Sequence, residues 1–210
     1  MSKAWIFDFD GTLVHSEAAI TQCFQRITQK LAPHRLEVAK NVLIGPPLRQ
    51  TVAEILGDPE HPLIDEFVSA FIRMHDDDVL HHTTAYPSVH ETLASLHQQG
   101  DKMAIATNKR LAPTIKILKH LHWDPFFLFV ECSDSEGVMR DKPQMIQAIQ
   151  EKNIGFKNAF FVGDTVGDGL SANNNDMTFI KANYGYGQAQ DWSGVTVFQA
   201  INTLYELLQL

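Results

Sequence analysis

The heptad Ile6-Phe7-Asp8-Phe9-Asp10-Gly11-Thr12 constrains this chain more than any other stretch. It sets two carboxylates two residues apart at the end of an apolar run. In a strand, alternate side chains share a face, so Asp8 and Asp10 point the same way. Gly11 lets the backbone turn sharply after them. Acids crowded in this manner repel unless a cation or a proton lies between them. A strand ending in a solvated acidic turn satisfies the same pattern, since Asp and Gly favour turns. The meaning of the heptad therefore depends on what the rest of the chain brings to it.

Ala4 to Phe9 reads as a buried strand, short, apolar and aromatic. No convincing strand follows from about Val14 to His82. Ile20, Phe24, Ile27 and Leu31 recur at helical spacing, and Pro33 ends that helix. Arg35 to Leu43 and Leu48 to Leu56 read as two shorter helices, separated by Gly45-Pro46-Pro47. Ile64, Phe67, Phe71 and Met74 mark a fourth. Four successive helices suggest a small helical bundle.

From Tyr86-Pro87 onward the pattern alternates. Ser88 is a candidate cap for a helix carrying Val89, Leu93 and Leu96. Lys102 to Thr107 reads as a strand, Leu111 to Leu121 as a helix, and Phe126 to Val130 as a strand. Pro143 suits the first turn of the next helix. Ala159 to Val162 is a strand, a helix follows near Asp168 to Asn174, and Thr178 to Lys181 is a further strand. Phe198 to Leu208 closes the chain as an amphipathic helix. Alternation of this kind predicts an α/β fold, a doubly wound and mainly parallel sheet. The helical block is then an insertion. The expected core comprises residues 1–14 and 85–210, and the expected cap 15–84.

Composition narrows the functional classes. Hydrophobic residues make up 44% of the 210, enough for a sizeable core, and the net charge of −8 argues against a nucleic-acid or anionic-membrane surface. Cys23 and Cys132 stand far apart without a metal-ligand spacing, which suggests free thiols in a reducing compartment. No run approaches the ~20 apolar residues of a membrane span. Lys3 is not followed by a long apolar segment, so no signal peptide is expected. A cytoplasmic protein is the expectation, with no statement about its oligomeric state.

In sheets of this type the ligand crevice lies beyond the carboxyl ends of the strands. There the sequence puts Asp8-Phe9-Asp10, Thr107-Asn108 and Gly163-Asp164, each a polar group directly after an apolar run. Asp168 adds a fourth carboxylate. Four acids converging on one crevice call for a divalent cation, and oxygen ligands with a partly open shell point to Mg²⁺. On the bland reading Asp164 merely caps the next helix. Thr107 and Asn108 offer a hydroxyl, an amide and turn N–H groups to an anionic oxygen, or else cap the helix at Leu111. Lys142, before Pro143, offsets the acids and suits a phosphate oxygen, or else is a solvated surface lysine. The run His75-Asp76-Asp77-Asp78 with His81 and His82 reads as a charged helix end rather than a second metal site.

Asp-x-Asp-Gly-Thr, then Thr-Asn, then Lys-Pro, then Gly-Asp-x-x-x-Asp, in that order, resemble the four motifs of the haloacid dehalogenase-like superfamily. Asp8 to Thr12 matches the first motif, Thr107 the second, Lys142 the third, and Asp164 with Asp168 the fourth. The helical insertion resembles that superfamily's small cap. Ile44 to Leu48 and Tyr184-Gly185-Tyr186-Gly187 are similar to its phosphoglycolate-phosphatase-like branch. The resemblance implies that Asp8 is a nucleophile forming an aspartyl-phosphate and that Asp10 is the acid and base. It implies Mg²⁺ held by Asp8, the backbone carbonyl of Asp10, Asp164 and Asp168, with Thr107, Asn108 and Lys142 on the phosphoryl oxygens. Dehalogenases of the superfamily lack an acid at the place of Asp10. A small phosphorylated metabolite is the implied partner, with phosphoglycolate or a nucleoside monophosphate as candidates. A sugar phosphomutase and a non-catalytic binding module on the same fold are the rival readings. Leaving-group choice falls to the cap, where Arg49, just after Gly45-Pro46-Pro47, is the expected anion-gripping residue.

Overall fold

In a computed structural model describing residues 2–210, six strands form one parallel sheet. They are β1 (Ala4–Phe7), β4 (Lys102–Thr107), β5 (Phe129–Cys132), β6 (Phe160–Gly163), β7 (Thr178–Ala182) and β8 (Gln199–Ile201). Their order is β5-β4-β1-β6-β7-β8, with every neighbouring pair parallel. The central strand β1 therefore has β4 on one side and β6 on the other, and the chain winds outward in both directions from it. That arrangement opens a crevice at the carboxyl ends of these three strands.

Alternation along each strand divides the core in two. Trp5 and Phe7 join Met103 and Ile105 on one face of the sheet. Ala4 and Ile6 join Ala104 and Ala106 on the other. Both faces are covered, which is why these strands read as unbroken apolar runs rather than as alternating ones. Helices α5 (Val89–Gln98) and α6 (Leu111–His120) add Leu93, Ile117 and Leu118 to the first layer, and α7 (Lys142–Lys152) adds Met145, Ile146 and Ile149 to the second. The helix α8 (Val166–Asn173) adds Ala172 to that second layer.

Between β1 and β4 lie α1 (Glu17–Leu31), α2 (Leu36–Lys40), α3 (Leu48–Leu56) and α4 (Ile64–Asp78). They pack around a separate core in which Phe24, Phe67 and Phe71 meet, with centroids of Phe24 and Phe71 4.6 Å apart. Each such ring contributes about 1.5–3 kcal/mol by leaving water. Where this segment leaves and rejoins the sheet, β2 (Val14–His15) pairs antiparallel with β3 (Thr84–Ala85). Two-residue strands are too short for any periodicity to reveal, so neither is expected from the sequence.

Several expected elements shift. The Phe126 to Val130 strand begins only at Phe129, because Asp124–Phe126 forms a 3-10 turn with Pro125 at its start. Ser88 occupies the N-cap position of α5 but with a positive φ of 63°, and its hydroxyl caps nothing. The expected closing helix from Phe198 to Leu208 is instead β8 followed by a 3-10 helix at Leu204–Gln209. A capping box between Thr203 and Glu206 starts that short helix and separates it from the strand.

Candidate active site

Asp8 directly follows β1, Thr107 ends β4, and Asp164 directly follows β6. The three strand ends thus deliver their polar residues to one place, and Asp8, Thr107 and Asp164 are all buried. Gly11, at φ 89°, makes the turn after the first strand. A Cβ there would come within 2.3 Å of an Asp164 carboxylate oxygen, so the glycine is needed for close approach as well as for the turn.

Carboxylate oxygens of Asp8, Asp164 and Asp168 lie within 4.8 Å of one another. Among the described residues this is the one group of acidic, histidine or cysteine side chains gathered at metal-ligand spacing. Lys142 leads α7 into the cluster and donates to Asp8 Oδ1 at 2.7 Å and to Asp168 Oδ1. Asp141 directs it there by capping α7 in a reciprocal box with Gln144. The preceding loop is anchored too, since Arg140 bonds both Glu131 and Glu136. Lys142 is buried rather than solvated.

The electrostatics follow from crowding in a dry place. Burial pushes the Asp8 carboxyl up to about 7 despite Lys142, and neighbouring Asp168 pushes the same way. Burial, then Asp168 and Asp8, raise Asp164 well above the carboxylate range. Burial alone would lower Lys142, but Asp168 and Asp8 outweigh it and hold the ammonium charged. An oxygen-only donor set whose members repel one another fits a hard divalent cation such as Mg²⁺.

Asp164 does not cap the following helix. Thr165 is the N-cap of α8 and forms a box with Asp168, whose Oδ2 accepts from the N–H groups of Asp164 and Thr165 and from the Thr165 hydroxyl. Asp164 instead accepts from the Thr12 hydroxyl at 3.1 Å and from the Tyr186 N–H at 2.7 Å. The segment Tyr184-Gly185-Tyr186-Gly187 wraps it closely: a Cβ on Gly185 would meet Asp164 Cβ at 2.2 Å.

The Asp10 side chain stands apart from this trio. It accepts from Ser16 Oγ at 2.6 Å and from Lys109 Nζ at 3.1 Å on both oxygens. Neither Lys109 nor Ser16 is among the expected site residues. For Lys109 a signal existed, since it directly follows Thr107-Asn108. Thr107 Oγ1 accepts the Lys109 N–H at 3.2 Å, which leaves its own hydroxyl proton available as a donor.

Two expected site residues are placed differently. The Asn108 amide turns to the helical segment, its Nδ2 donating to the Gly45 carbonyl at 2.7 Å, so this N–H donor is committed elsewhere than to an anion. Arg49 does not reach the crevice. Its guanidinium bonds Asp65 at 2.5 Å, and its side chain is 62% exposed. Leu48 and Thr51 of the same helix line the crevice instead. An exposed pair of this kind contributes about 0–1 kcal/mol. Arg49→Ala should therefore leave kcat/KM for any substrate within about twofold of the parent. Steady-state rates on an anionic and a neutral substrate check this, and a selective loss on the anionic one would restore Arg49 to the site.

The chain matches the model of the haloacid dehalogenase-like hydrolase family over residues 5–182. It belongs to that family and is a hydrolase. A phosphoglycolate phosphatase of Rhodobacter capsulatus is 30% identical over 192 residues, covering 89% of this chain and 86% of the relative. The pyrophosphatase PpaX of Halalkalibacterium halodurans is 30% identical over 174 residues, covering 80% and 78%. A haloacid dehalogenase-like hydrolase of Streptococcus pneumoniae shares the fold at a TM-score of 0.84 and 22% identity, over 99% of this chain and 97% of that one.

Proposed function

We propose that this hydrolase is a Mg²⁺-dependent phosphatase, cleaving a small phosphomonoester through a covalent aspartyl-phosphate on Asp8. The observation that carries the reading is the buried set of Asp8, Asp164 and Asp168 bridged by Lys142, with Asp10 two residues beyond Asp8 on its own support of Lys109 and Ser16.

Charge supports this donor set. With Asp8, Asp10, Asp164 and Asp168 all ionised against Lys109 and Lys142, the site would carry two net negative charges, which suits a divalent cation. Asp8, Asp164, Asp168 and the Asp10 backbone carbonyl would hold it. When bound, Mg²⁺ supplies positive charge to the transferring phosphoryl group. An Asp8 oxygen attacks phosphorus, and the bond from phosphorus to the leaving oxygen breaks while Asp10, which enters this step protonated, gives that oxygen its proton. Water then attacks the aspartyl-phosphate, Asp10 takes its proton, and inorganic phosphate departs with Asp8 restored. Lys142 and the Thr107 hydroxyl bind the phosphoryl oxygens as negative charge shifts between them.

Residues 15–84 act as the cap over this reaction, with β2 and β3 as its stem. Phosphoglycolate and a nucleoside monophosphate remain the candidate substrates, and the first stands in the names of relatives. Two buried free thiols suit a reducing, cytoplasmic setting, and among the described residues no helix is long and apolar enough to cross a membrane. The test is acid-quenched turnover of an aryl phosphate with mass analysis of the peptide carrying Asp8. One added phosphoryl group on that peptide is expected. Phosphate release with the label on another residue, or on none, overturns the covalent reading.

A further inference from the structure

The segment Tyr184-Gly185-Tyr186-Gly187 follows β7, and the chemistry above uses none of its side chains. It nevertheless touches the site at three points. The Tyr184 hydroxyl donates to the Thr12 carbonyl at 2.9 Å, and the Thr12 hydroxyl donates in turn to Asp164. The Tyr186 N–H donates to Asp164 Oδ2. The Tyr186 hydroxyl accepts from the Ser16 N–H at 2.8 Å and lies 3.4 Å from Ser16 Oγ. Tyr186 thus joins a carboxylate of the metal-ligand trio, through its backbone, to the start of α1, through its side chain.

Ser16 occupies the N-cap position of α1 and is buried, yet its side chain makes no cap bond. It forgoes the stabilisation that a serine hydroxyl ordinarily gives a helix start. The hydroxyl donates instead to Asp10 Oδ1 at 2.6 Å. With its one proton committed there, Ser16 Oγ can only accept from Tyr186, so the phenol is the donor in that contact. The bonds run in one direction, from Tyr186 to Ser16 to Asp10, and each polarises the next. We propose that Tyr186 is a positioning residue for the acid–base step: anchored on Asp164, its hydroxyl fixes Ser16 and, through Ser16, the orientation of the Asp10 carboxyl. This rests on the phosphatase reading above and deepens it.

Lys109 does not supply this orientation. It donates to both Asp10 oxygens at the same distance, 3.1 Å, and so does not distinguish them. Ser16 bonds Oδ1 alone. A protonated carboxyl accepts at one oxygen and carries its proton on the other, so the serine leaves Oδ2 to carry the proton that the leaving oxygen receives. The ring of Tyr186 also packs against the core of the helical segment, and a role in packing alone is the rival that an experiment must exclude.

Tyr186→Phe removes the hydroxyl and keeps both the ring and the N–H on Asp164. An alkoxide leaves only with a proton from Asp10, whereas para-nitrophenolate is stable enough to leave without one. The ratio kcat/KM spans only the steps up to loss of the leaving group, so the later use of Asp10 as a base does not enter it. The alkyl ester to use is whichever of phosphoglycolate, a nucleoside monophosphate and ethyl phosphate the parent turns over fastest with Mg²⁺. In Tyr186→Phe its kcat/KM should fall about tenfold or more, while that for para-nitrophenyl phosphate stays within about threefold of the parent. Ser16→Ala should show the same selectivity. With the serine hydroxyl gone the phenol has nothing to position, so the double variant should match Ser16→Ala within about twofold. Equal losses on the two esters, no loss, additive losses in the double variant, or a Tyr186→Phe protein unfolded at the assay temperature would each overturn the inference and leave the phosphatase standing. A parent that turns over the aryl ester alone has no acid step for Tyr186 to serve, which overturns it as well. Phosphate released from none of the esters overturns the phosphatase reading and this one with it.

Discussion

Replacing Asp8 with asparagine should lower turnover at least about a thousandfold while leaving the fold intact. Asparagine has nearly the same volume and keeps an oxygen for the Lys142 ammonium, which donates to Asp8 Oδ1 at 2.7 Å in the parent. What it lacks is an anionic oxygen able to form a bond to phosphorus. The fold should tolerate the change, because the parent buries this carboxylate beside Asp168 and pushes it up to about 7. Removing a charge that its surroundings disfavour does not weaken the native state, provided Lys142 keeps Asp168 as partner. Phosphate release and thermal unfolding measured on the same preparation separate the two effects. Ordinary turnover in Asp8→Asn would exclude Asp8 as the nucleophile, and lost turnover with a collapsed melting temperature would make the residue structural.

Much of this site is legible in the sequence because strand ends announce themselves. A polar residue at or directly after the end of a buried strand is delivered to the crevice, and Asp8, Thr107 and Asp164 all follow that rule. The supporting contacts are not legible, since they join distant residues. Lys109 reaches Asp10 across a separation of 99 residues, and the Tyr186 N–H reaches Asp164 through a wrapped glycine segment that no periodicity encodes. Arg49 misled for a geometric reason. At 3.6 residues per turn it sits about a quarter turn from the middle of the buried face of α3 formed by Thr51, Val52, Ile55 and Leu56. That edge falls beside Asp65, which takes the guanidinium. The C-terminal apolar spacing misled for another. A strand of three residues followed by a 3-10 helix satisfies the same spacing, and what selects it is pairing with β7, a partner that local pattern does not contain.

Chelation by EDTA should abolish turnover, and Mg²⁺ should restore it where Ca²⁺ does not. Lys142 cannot balance the cluster alone, because Asp8, Asp164 and Asp168 converge on it within 4.8 Å of one another and substrate adds more negative charge. Ca²⁺ fits the charge but not the task, since its larger and looser shell disturbs the geometry that in-line transfer needs. The same carboxylates make a prediction that needs no substrate. A cation that binds only the folded state at about a hundred times its Kd adds about 2.7 kcal/mol of stability. For a chain of 210 residues that is a rise of about 5–10 °C in melting temperature. Asp164→Asn removes one ligand charge from the trio and keeps the shape, so it should lose most of this Mg²⁺-dependent rise. Its melting temperature without metal should not fall below that of the parent, because burial and its acidic neighbours already disfavour the Asp164 anion. Full turnover in EDTA would point to a metal-free mechanism. A Mg²⁺-induced rise undiminished in Asp164→Asn would put the cation at some other group of ligands.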